Sequence, residues 1–135
     1  MITKLTHTTV WVADQDRAKA FYTEKLGFEV RDDARMGNFR WLTVGPKTLP
    51  ELRIVLMKIG SGPKMDEASA AQLRELVEKG ALGGGVVECD DIQKTYEELK
   101  GRGVEFASPP KQMPYGIEAV FRDDSGNFFS LGQKQ

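Results

Sequence analysis

The sequence predicts an α+β protein made of two successive βαβββ modules joined by a linking helix. Three observations carry this. Strand-like and helix-like segments run in the same order twice. Asp14, Gly27 and Glu29 are matched by Asp90, Gly103 and Glu105 at a constant spacing of 76. The strings LGFEV and RGVEF repeat one local device, a glycine that ends a helix and feeds a strand. With 135 residues, 40% of them hydrophobic, the chain suits a single domain over residues 1–135 with a modest core. Module one takes residues 1–60, the linking helix 64–80 and module two 83–135. Two such modules can each leave one sheet face uncovered and set those faces around a cleft in a mixed sheet.

In module one, THTTVWV (residues 6–12) is β-branched and aromatic without Gly or Pro, which predicts a strand. Asp14 or Asp16 then caps a helix whose Ala18, Phe21, Tyr22 and Leu26 fall on one stripe, with Gly27 as the stop. FEVRDD, FRWLTVG and ELRIVLM follow as strands, separated by RMGN and the PKTLP turn. Residues 66–79 form the linking helix, with Leu73, Leu76 and Val77 on one face and Gly80 as its end. Module two repeats the order. GGGVVECDD is a strand, and IQKTYEELKGRG a helix with Ile92, Tyr96 and Leu99 on its stripe. VEF, IEAVF and NFFSLGQ are strands.

Composition limits the function. Nineteen Lys and Arg stand against 20 Asp and Glu, so a net charge of −1 gives no electrostatic basis for a nucleic-acid partner. No apolar run nears the roughly 20 residues that cross a bilayer, so no membrane partner is expected. A lone Cys89 forms no internal disulfide, and MITKLTHTTVW lacks the features of a signal peptide, which points to the cytoplasm. Cys89, between Glu88 and Asp90, is disfavoured as a thiolate. One histidine and no G-x-S-x-G give a serine hydrolase little support, and GALGGG lacks the spacing of a phosphate loop. The pairs Asp32-Asp33 and Asp123-Asp124 fit turns at strand ends.

HTTVWVAD followed by FYTEKLGFEV, and DDIQKTYEELKGRGVEF with DDSGNFFSL, resemble the vicinal oxygen chelate superfamily over nearly the whole chain. That superfamily includes glyoxalase I, extradiol dioxygenases, fosfomycin-resistance enzymes and bleomycin-binding proteins. The resemblance implies a glyoxalase-like fold and a homodimer. In metal-dependent members it also implies a divalent ion held by a His on the first strand and a carboxylate on the last strand of each half. His7 matches the first ligand. Glu51 is the carboxylate available for the second, although Arg53 stands nearer the strand centre. Gly83, Gly84 and Gly85 occupy the third position and Ser130 the fourth, where a hydroxyl is a poor substitute for a carboxylate. The metal set is therefore His7 and Glu51 alone, short of the three protein ligands typical of a catalytic ion.

Alternation puts Thr9 and Trp11 on the face of His7, and Phe128 and Ser130 together on another. Arg53, with Arg40 or Trp41, completes the lining, and Tyr115 in MPYGIEA supplies an aromatic lid or a hydroxyl. Such a surface suits a small, partly planar organic ligand bearing an acidic group. The first reading is a metal-independent protein, with no cofactor, that binds this ligand or converts it with His7 as acid or base. The alternative is a divalent-metal-dependent lyase, isomerase or dioxygenase with an atypical ligand set. A third, a structural domain without ligand, applies if Trp11, Trp41 and Phe128 fill the cleft themselves.

Overall fold

The computed structural model describes residues 1–135. Its strands form two four-stranded mixed sheets, one in each module. In the first, β1 (His7–Val12), β4 (Arg53–Lys58), β3 (Phe39–Gly45) and β2 (Glu29–Met36) lie side by side in that order. β1 runs parallel to β4, and the other neighbours are antiparallel. The second sheet repeats the arrangement as β5 (Gly83–Cys89), β8 (Phe128–Gln133), β7 (Gly116–Arg122) and β6 (Phe106–Met113). The chain divides into two compact units, Met1–Glu75 and Leu76–Gln135, with the boundary inside the linking helix α2 (Glu67–Glu78).

Helix α1 (Gln15–Ala20) is capped by Asp14, whose carboxylate accepts the Arg17 amide at 3.0 Å, and continues as a π-turn over Phe21–Lys25. In module two the cap of α3 (Ile92–Gly101) is Asp91, accepting from the Lys94 amide at 3.1 Å. This corrects the Asp14–Asp90 match by one residue. Both helices still end at glycines of positive φ, Gly27 at 74° and Gly103 at 88°, so one residue fewer separates cap from stop in α3. The π-turn is where α1 absorbs its extra residue. It leaves both Phe21 and Tyr22 buried, at 6% and 0% exposure.

The helix-side core of module one gathers Val10, Val12, Ala18, Tyr22, Leu42, Val44 and Leu56; that of module two gathers Ile92, Leu99, Ala119, Phe121, Phe129 and Leu131. Phe121 and Phe129 stack at 5.4 Å. In α2, Ala70 and Val77 form the buried stripe, whereas Leu76 is exposed. Two segments differ from the sequence reading. β6 runs through Pro109 and Pro110, which its place at the sheet edge and two bulges permit, since an edge strand can forgo an N–H on its outer side. β2 extends to Met36, so Asp32 and Asp33 sit inside a strand and not at a turn. Asp123 does lie in the expected turn, its Oδ1 accepting the amides of Ser125, Gly126 and Asn127.

Candidate functional site

Register decides which side chains meet on the face of sheet one turned away from α1. The parallel ladder pairs His7 with Arg53, Thr9 with Val55 and Trp11 with Met57, and Thr43 of β3 stands opposite Val55. Paired residues point to the same side of a sheet, so His7, Thr9, Trp11, Trp41 and Arg53 share this face. The His7 and Trp41 rings lie 5.8 Å apart and tilted by 47°, and His7 Nδ1 is 2.9 Å from the Thr6 hydroxyl. Arg40 points the other way, into the helix side. There its Nε and Nη2 donate to the two oxygens of Asp33 at 2.9 and 3.0 Å, and its Nη1 to Asp16 at 2.6 Å. The choice between Arg40 and Trp41 thus falls to Trp41.

The sequence reading missed Asp32. Its Oδ2 accepts from the Thr43 hydroxyl at 2.6 Å and from Arg53 Nε at 3.2 Å. The Thr43 hydrogen bond, aided by the charge of Arg53, holds its carboxyl below the usual carboxylate range. This bond has no local signature in the sequence, because Asp32 and Thr43 lie on different strands and meet only through the β2–β3 ladder.

In module two, Ser130 of β8 stands beside Val86 and Val120, and Glu118 beside Gly132. Glu118 accepts hydrogen bonds from the hydroxyls of Ser130 and, at 2.9 Å, Tyr115. These bonds, that of Ser130 first, lower the Glu118 carboxyl, and the same carboxylate raises the Tyr115 phenol. Tyr115, in the β6–β7 turn, is 66% exposed. Phe128 is paired with Gly83. The glycine run is filled by phenylalanine: a Cβ at Gly84 would overlap the buried Phe129 ring, and one at Gly83 would sit 3.1 Å from Phe128.

The donor set does not fit the superfamily's divalent ion. His7 faces a cation, Arg53, across the ladder; Glu51 lies exposed in the turn before β4; and no three His, Cys, Asp or Glu side chains converge. Cys89 donates to the Gly132 carbonyl at 3.5 Å, and burial first, then the charges of Asp91 and Asp90, push its thiol up. A separate concavity of about 440 Å³ lies where β4 ends, with Lys58 and Arg74 beside Glu67 and Asn38. None of the residues chosen from the sequence lines it.

A sequence profile described as the Glyoxalase/Bleomycin resistance protein/Dioxygenase superfamily matches residues 4–131. The chain belongs to this superfamily. Among solved structures related to this superfamily member, UcmS2 aligns with a TM-score of 0.91 and 55% identity over 98% of each chain. TnmS3, an antibiotic binding protein from Streptomyces sp. CB03234, aligns with a TM-score of 0.77 and 32% identity over 99% of this chain and 98% of its own. The Bacillus subtilis (strain 168) protein YetH is 39% identical over 132 residues, 97% of this chain and 98% of that one. The vicinal oxygen chelate resemblance and the glyoxalase-like fold of paired modules are thereby shown. No helix is long and apolar enough to cross a membrane.

Proposed function

We propose that this superfamily member binds a small, partly planar organic molecule without a metal. In this reading His7, Thr9, Trp11, Trp41 and Arg53 form the ligand-binding surface of module one, and Tyr115, Phe128 and Ser130 that of module two. The observation that carries it is the first rung of sheet one, where Arg53 is paired with His7, whose ring lies 5.8 Å from that of Trp41. A guanidinium there is no metal ligand but offers hydrogen-bond donors and a stacking plane to an organic ligand. The 32% identity to an antibiotic binding protein supports the same ligand class. The reading assigns no cofactor, a homodimer and a cytoplasmic location, and leaves to His7 any acid–base step on the bound molecule.

Calorimetric titration of chelator-stripped protein with Zn²⁺, Ni²⁺, Mn²⁺ and, anaerobically, Fe²⁺ tests it. The expected result is no stoichiometric binding. Micromolar or tighter binding that disappears in His7→Ala overturns the metal-free reading and points to oxygen-chelating chemistry.

A further inference from the structure

Between Val30 and Asp32 the β2–β3 ladder slips by one residue. Val30 pairs with Val44, but it is Asp32, and not Arg31, that pairs with Thr43. Such a bulge re-aims the side chains that follow it. In an unbroken ladder Asp32 would stand opposite Leu42, on the helix side; the slip brings it to the face of His7, Trp41 and Arg53. The extra residue is held in place, since Arg31 Nη2 donates to the carbonyls of Pro46 at 2.8 Å and Leu49 at 2.9 Å. Gly45 makes room for it, because a Cβ there would lie 2.9 Å from Arg31 Nη2.

The consequence is electrostatic. Arg53 is the cation of this face, and Asp32 answers it at 3.2 Å through Nε. Thr43, fully buried, anchors Asp32 from below, whereas the Asp32 and Arg53 side chains are 37% and 38% exposed. The bond to Asp32 takes Nε, and Asp32 accepts through Oδ2. The terminal guanidinium nitrogens and Asp32 Oδ1 take no hydrogen bond within the chain and so remain available to a ligand as donors and acceptor. We propose that Asp32, brought to this face by the bulge, makes the site select net-neutral aromatic ligands whose polar edge offers an acceptor to Arg53 and a donor to Asp32. This rests on the small-molecule reading above, and it replaces the acidic ligand that Arg53 alone would favour.

A ligand carboxylate has to displace Asp32 from Arg53 or settle beside it, against a like charge. A carbonyl next to an O–H or N–H engages both halves and leaves neither charge unpaired. Because the pair is partly solvated, the discrimination is that of one screened charge–charge contact, about tenfold in Kd.

The test is calorimetric titration of the full chain at neutral pH with hydroxynaphthoic acid and with its carboxamide, which differ in charge on the same ring. Wild type is expected to bind the amide about tenfold more tightly, and Asp32→Asn to reverse the order. Equal or tighter binding of the acid by wild type overturns the charge rule and leaves the small-molecule reading standing. Saturable binding of neither compound overturns that reading and this inference with it. Should Asp32→Asn fail to fold, the wild-type comparison decides by itself.

Discussion

Arg53 and Gly84 stand at positions where the resemblance implies metal ligands, and they depart from that expectation by different physics. Arg53 puts a positive charge on the rung shared with His7, so the departure is electrostatic. Gly84 is steric: the Phe129 ring, 2% exposed and stacked on Phe121, occupies the volume that any side chain at position 84 would need. Gly84→Ala therefore forces a packed ring to move. The expected loss is about 1–3 kcal/mol, read in urea as a lower midpoint with an unchanged slope. An unshifted midpoint would mean that the ring yields freely.

At the scale of elements, the contact between α1 and sheet one depends on an ionic cluster. Arg40 grips Asp33 with two nitrogens and reaches Asp16 on the helix, and Lys19 adds a bond to Asp33 at 2.9 Å. Gln15 fastens the same helix by donating to the carbonyls of Arg40 and Leu56 at 3.1 and 2.9 Å. The Arg40 hydrogen bonds, then that of Lys19, hold the Asp33 carboxyl far below the usual range. Its folded pKa is thus lower than its unfolded one. The stability it contributes is complete above the unfolded value near 3.9 and is lost as pH falls through the folded one. Asp33→Asn is expected to be less stable than wild type at neutral pH, with the gap narrowing on acidification below about pH 4. Denaturation midpoints across that range check it, and a pH-independent gap would show that Asp33 acts by packing alone.

Elements also mark where the sequence stopped being legible. FRWLTVG is legible as a strand because Phe39, Trp41, Thr43 and Val44 favour extended backbone and Gly45 closes the run. VEF overlaps β6 only at Phe106, and the strand runs on through Pro109 and Pro110 because its edge position and two bulges spare it the N–H donors that prolines lack. Asp32-Asp33 resembled a turn for a similar reason: two acids near a glycine are ordinary turn composition, whereas the partners that make them strand residues, Thr43 and Arg40, lie across the ladder.

At the scale of the whole molecule, each sheet ends in unpaired edge strands, β1 and β2 in one module and β5 and β6 in the other. Val86 on β5 is 80% exposed, and Met36 at the end of β2 is 65% exposed. Exposed apolar side chains on open edges are features that association covers. A homodimer, twice the 15.1 kDa chain mass, is expected by light scattering at tens of micromolar; a monomer at that concentration would sink the expectation.

By itself the sequence determined the repeat, the order of its elements and the helix-ending glycines, because these depend on local periodicity and backbone freedom. It also nominated His7 and Arg53, with Arg40 or Trp41, since alternation along a strand fixes which residues can share a face. Only the tertiary structure decided that Trp41 and not Arg40 joins them, that Asp32 answers Arg53, and that phenylalanine rings fill the glycine run. Those outcomes turn on register, bulge and ring placement, and each is set by pairing between segments far apart in the chain, where one residue of slip exchanges one sheet face for the other.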